Sequence, residues 1–105
     1  MIIFNKAKRE TRKTLSKVDG ARIKYVTERS ADGTEKVIGR GGAVSINDER
    51  ALLLCEGKAV FSCPVDDVKC SELLSGDGAI FSGKDIESGR EMSVTAHFTS
   101  PILRR

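Results

Sequence analysis

The chain has 105 residues, 39% hydrophobic and 31% charged, which is enough apolar side chain for one packed core and too little for a protein embedded in lipid. Aromatic residues make up 5%, with Tyr25 the only tyrosine and no tryptophan, so the usual stacking platforms for sugars and unstacked bases are missing. The net charge of +3 is uneven: residues 1–17 hold six Lys/Arg against one Glu, whereas the rest of the chain holds twelve basic against fourteen acidic side chains.

The basic stretch reads as a helix. Phe4, Ala7, Thr11, Leu15 and Val18 recur at helical spacing and would share one side, leaving Lys6, Lys8, Arg9, Arg12, Lys13 and Lys17 on the others. The apolar stripe is thin, so such a helix needs to dock on the body to be stable. Asp19-Gly20 supplies the stop, because glycine readily takes the left-handed conformation that ends helices. The expected organisation is therefore a helical arm over 1–19 and one β domain over 20–105.

From residue 20 the period becomes two. Ala21, Ile23, Tyr25 and Thr27 alternate with Arg22, Lys24 and Glu28, which predicts a half-buried strand with Val26 as its one misfit. Turn signals at Asp32-Gly33, Gly39 to Gly42, Asn47-Asp48, Glu56-Gly57, Asp77-Gly78 and Ser88-Gly89 then separate strands expected near 34–39, 43–46, 51–55, 58–63, 79–82 and 91–99. Glu56-Gly57 is the best hairpin turn. The run Leu52-Leu53-Leu54 predicts a strand covered on both faces, and Ala59, Phe61 and Cys63 should share the buried face of the next one. Residues 64–74 should be a short turn followed by a strand. In the last strand Met92, Val94, Ala96 and Phe98 face inward and His97 lies on the polar face. The sum is a mostly β fold, a small antiparallel barrel or roll of about seven short strands with an N-terminal basic helix.

No catalytic constellation emerges. His97, the only histidine, sits among serines and threonines, and its removal should change stability by less than about 0.5 kcal/mol. Asp48-Glu49 and Asp66-Asp67 are adjacent pairs beside turns, so their side chains diverge and cap backbone amides instead of forming an acid–base couple. The expectation is a protein that is not an enzyme. Cys55, Cys63 and Cys70 are an odd set without close-spaced pairs, read as reduced core thiols and not as zinc ligands with His97, and no cofactor is expected. The longest apolar run, Ala51–Cys55, falls far short of the ~20 residues that span a bilayer. Met1-Ile2-Ile3-Phe4 is followed at once by charge, unlike a secretory signal, so the expected compartment is the cytoplasm.

Gly39-Arg40-Gly41-Gly42 lacks the Gly-Lys-Ser/Thr of a Walker loop and reads as a tight turn or bulge, with Arg40 placed to hold an anion. The basic arm has no interleaved aromatics, so specific nucleic-acid binding is not expected, and its narrow apolar side limits attachment to an acidic membrane surface.

Leu73-Leu74-Ser75-Gly76-Asp77-Gly78-Ala79-Ile80-Phe81 resembles the Ser-x-x-Gly turn and following strand of PilZ domains, the bacterial β-barrel modules that bind cyclic di-GMP. The resemblance implies a regulatory receptor in which Arg9, Arg12 and Lys13 grip phosphates while Ser75 to Gly78 meet the base. The sequence departs from that pattern in having Leu73 where the family has Asp or Asn, and no Arg-x-x-x-Arg. A meander of about seven short strands is also similar to pleckstrin-homology-like rolls. That resemblance implies an interaction domain for a protein partner or an acidic membrane surface, with an open end covered by the N-terminal helix or by a second copy of the chain in a homodimer.

Overall fold

The computed structural model describes residues 2–99, with side chains from Glu10 onward. Helix α1 (Ile2–Val18) is followed by seven strands: β1 (Arg22–Arg29), β2 (Glu35–Ile46), β3 (Arg50–Cys55), β4 (Lys58–Pro64), β5 (Lys69–Glu72), β6 (Gly78–Lys84) and β7 (Glu91–Phe98). They form one antiparallel sheet in the order β4-β3-β2-β1-β7-β6-β5. Every neighbour is also a neighbour in sequence except β1 and β7, which meet in the middle.

The sheet is rolled. Four strands separate β4 from β6, yet Phe61 of β4 and Phe81 of β6 have ring centroids 6.4 Å apart in one core. Leu15 and Val18 of α1 belong to the same core, with Ile23, Val26, Val44, Leu53 and Val94. The predicted stripe thus docks through its last two positions; Phe4 and Ala7 fall outside the side chains described. Gly20, at φ 84°, ends the helix, and its N–H donates to the Val44 carbonyl at 2.8 Å, tying the helix stop to β2. No helix among the described residues is long and apolar enough to cross a membrane.

Both sheet edges are engaged. Along β5 runs α1, with Arg12 paired to Asp66 at 2.8 Å and Lys17 to Glu72 at 3.3 Å. On β4, Ser62 donates its N–H to Asp85 Oδ1 at 2.8 Å and accepts from the Ile86 N–H at 2.7 Å, so the β6–β7 loop occupies the bonds that another strand would make.

Three one-residue slips in register explain where strict alternation misplaces side chains. Ile23 pairs with Phe98 but Tyr25 with His97, which leaves Lys24 as an extra residue in β1. The slip resets the phase: Val26 is fully buried and Tyr25 is half-buried on the outer face, while Thr27, paired with exposed Val37, stays buried where it donates to Glu35. A second slip adds Ile38 to β2, so the predicted strands 34–39 and 43–46 are a single bent strand through Gly39–Gly42. The third adds Val60 to β4, which pairs Ala59 with Leu54 and takes it off the face of Phe61. Leu52 and Leu54 are half-buried and not enclosed, while Ala51, Leu53 and Cys55 point inward. The carboxylates expected to cap amides behave differently: Asn47 Oδ1 accepts from the Glu49 and Arg50 N–H groups, and Asp66 pairs with Arg12. The hairpin and the segment after β4 follow expectation. Glu56 and Gly57 both have positive φ, 51° and 79°, as a two-residue hairpin turn requires, and residues 65–67 turn before β5.

All three cysteines are buried and free. Burial pushes the Cys63 thiol up to about 11 and the Cys70 thiol up to about 12, with Asp67 and Glu72 respectively adding to the effect. Their ordinary value is 9.0, so between there and about 11 the unfolded chain has lost protons that the folded one keeps, and stability falls as pH rises through this window. Urea melts at pH 8, 9.5 and 10.5 should show that decline, and it should shrink in Cys70→Ala. Cys63→Ser at neutral pH should cost about 1–3 kcal/mol, since the thiol packs against Gly83 of β6 and a hydroxyl there is poorly solvated.

Candidate functional site

Side chains on a strand stand roughly normal to the sheet, so the outer face is read from the pairings. One row crosses four strands: Arg40 on β2 pairs with Tyr25 on β1, Tyr25 with His97 on β7, and His97 with Gly78 on β6. Beside it runs a second, Val37–Thr27–Thr95–Ile80. Val37 and Ile80 are exposed, so the second row ends in an apolar side chain on either side of two threonines.

At the centre of the first row the chain's only tyrosine and only histidine stack, with ring centroids 4.4 Å apart and planes 19° from parallel. Lys24, the extra residue, is exposed next to Tyr25, and a bulge turns both toward one side. The nearby carboxylate is Glu35, which accepts from Thr27 Oγ1 at 3.0 Å and from Arg29 at 3.2 Å. Those bonds, Thr27 first, hold its carboxyl below the usual range, with Arg29 and His97 adding favourable charge.

His97 is on the polar face as the alternation predicts, but it is half-buried and stacked. Its replacement by Ala should therefore cost about 0.5–1.5 kcal/mol, more than a bare surface position. The check is a thermal melt beside Tyr25→Ala and the double variant: a stacking energy appears as non-additivity.

The other candidate residues are distributed differently. Arg12 is held by Asp66 and borders a groove of about 220 Å³ with Leu15, Ile46 and Asp48. Lys13 is exposed on α1, and the Arg9 side chain lies outside those described. Ser75 is exposed in the β5–β6 turn, its hydroxyl bonded to the Asp77 carboxylate. Gly78 is buried at the start of β6, where a Cβ would lie 2.6 Å from the Ala96 carbonyl and 2.7 Å from Leu73 Cδ1. Because α1 follows β5 from Asp66 toward Glu72, its earlier turns lie away from the Ser75–Gly78 turn. Arg40 and Gly78 do come together, in one row, though through the Tyr25–His97 stack and not through the arm.

No group of three or more His, Cys, Asp or Glu suited to a metal occurs among the described residues. The chain matches no family model, and neither a curated protein nor a solved structure matches it.

Proposed function

We propose that this protein is a non-enzymatic interaction module that meets a protein partner through the outer face of β2-β1-β7-β6. The observation that carries this reading is the placement of the only tyrosine and only histidine, stacked on an exposed face of the two central strands, with Arg40 beside them. Aromatic side chains and Arg are the residues most enriched where protein interfaces concentrate their binding energy. Addition of a partner strand at an edge is disfavoured, since α1 lies along β5 and Asp85 and Ile86 occupy Ser62 of β4.

The meander order and a helix that packs into the core support the pleckstrin-like interaction reading over the cyclic-dinucleotide one. The latter asks Arg12 and Ser75 for contacts while Asp66 and Asp77 hold them. Attachment to an acidic membrane has the same difficulty, because Arg12 and Lys17 are both paired with carboxylates of the body. A photo-crosslinking residue placed at Val37 or Ile80 should yield a covalent adduct with a discrete partner in cell extract, and the same residue at Glu87 should not. Equal labelling at all three positions would overturn the proposal.

A further inference from the structure

Ion pairs hold four of the described cations and leave the others without one, and two of the latter flank the Tyr25–His97 stack. Arg12, Lys17, Arg29 and Arg90 each have a carboxylate within reach, at 2.8–3.3 Å. Lys24 and Arg40, the two cations flanking the stack, form no ion pair among the described residues, although both are exposed. Glu35, the acidic neighbour, is already bonded to Thr27 and Arg29. A face with two unneutralised cations and an engaged carboxylate is complementary to negative charge.

The geometry of the rings narrows the kind of anion. Tyr25 and His97 stand on neighbouring strands with their faces turned to each other, at 4.4 Å and 19°. What they offer outward is their rims, where an aromatic quadrupole is positive, and their polar tips, the phenol O–H and an imidazole nitrogen. Rims and donors suit carboxylate oxygens, whereas a nucleobase needs a free ring face to stack on. The neighbouring row adds apolar contacts at Val37 and Ile80 separated by threonines, which fits a chain segment carrying both acidic and apolar side chains.

We infer that the outer face at Tyr25 and His97 binds an acidic segment of a partner protein, with Lys24 and Arg40 meeting its carboxylates. This rests on the interaction reading above and specifies the partner's chemistry. The test is an NMR titration of the full chain with poly-glutamate at low salt, beside parallel titrations with phosphatidylglycerol vesicles and with a thymidine decanucleotide. Shifts should concentrate at Lys24, Tyr25, Arg40 and His97, and a Lys24→Ala/Arg40→Ala variant that keeps its fold should bind poly-glutamate at least tenfold more weakly. No shifts at millimolar poly-glutamate, shifts confined to α1 around Lys13, or tighter binding of vesicles or decanucleotide at the same four residues would each overturn the inference. If poly-glutamate fails while crosslinking from Val37 and Ile80 still captures a partner, only the acidic chemistry is wrong. If both fail, the interaction reading falls with it.

Discussion

Gly42→Ala should abolish the folded state or reduce its stability by more than about 4 kcal/mol. Gly42 lies in the middle of the sheet, paired with Ile23 of β1 on one side and Cys55 of β3 on the other. A Cβ built there would be 1.6 Å from the Leu54 carbonyl oxygen and 2.9 Å from Cys55 Cα. These are backbone atoms of a strand bonded on both sides, so relief requires β2 and β3 to separate. The neighbouring glycine makes the contrast. Gly41 has open space for a Cβ, and its only demand is a φ of 62°, so Gly41→Ala should cost about 1–2 kcal/mol. Urea denaturation of the two variants distinguishes a close approach from a turn: similar small losses would mean that β2 does not pass through this segment as a continuous strand.

Asp85→Ala should be the most damaging removal of a polar side chain, with a loss of about 3 kcal/mol. Asp85 is 3% exposed, and its carboxylate accepts from the Ser62 N–H and the Ser88 N–H, each at 2.8 Å. Removing it strands both donors, each worth about 1–3 kcal/mol, and releases the β6–β7 loop from the edge of β4. Asp85→Asn keeps one acceptor oxygen and should fall between Ala and the parent. Ser62→Ala at the same junction should behave oppositely: Ser62 Oγ is buried without a hydrogen-bond partner among the described residues, so its loss should be neutral or mildly stabilising. Hydrogen exchange adds a local readout, since the Ile86 amide, which donates to Ser62, should lose protection in Asp85→Ala well before the β1 amides do. Unchanged protection at Ile86 would show that Asp85 does not close the roll.

These two positions also show what the sequence carries and what it hides. The number and class of elements follow from local chemistry: the helix stop at Gly20, the hairpin at Glu56-Gly57 and the alternation from Met92 to Phe98 each stand on residues within a few positions of one another. Side-chain direction is less secure, because it depends on counting by two without interruption. One inserted residue at Lys24 sends Tyr25 outward and Val26 inward, and Val26, the misfit in the pattern, is the visible trace of that slip. The glycines at 39–42 mislead for a related reason. Glycine serves both where the chain turns and where backbones crowd, and only the position of Leu54 across the sheet tells the two apart.

The candidate site was legible in parts that lie far apart in the chain. Arg40 reads as a cation placed to hold an anion in a glycine-rich stretch, whereas His97 reads only as a surface histidine on a polar strand face and Tyr25 carries no signal of its own. Their connection through Tyr25 requires β1 to pair with β7, the single non-sequential contact in the sheet, which no local pattern specifies. The arm has the strongest sequence signal of all, a run of like charge, yet two of its three described cations, Arg12 and Lys17, are matched by Asp66 and Glu72 from β5 and the turn before it, which leaves Lys13 exposed. A cation already paired on the body offers less to a partner than a free one.

In the proposed function the sheet face, and not the basic arm, meets the partner. The most direct measurement of this is quantitative capture from cell extract by three versions of the full chain: the parent, a face variant (Tyr25→Ala/His97→Ala) and an arm variant (Lys8→Ala/Arg9→Ala/Lys13→Ala), each first shown to retain its fold by circular dichroism. A discrete partner should be held equally by the parent and the arm variant and at least tenfold more weakly by the face variant. Loss from the arm variant with full retention by the face variant would contradict it.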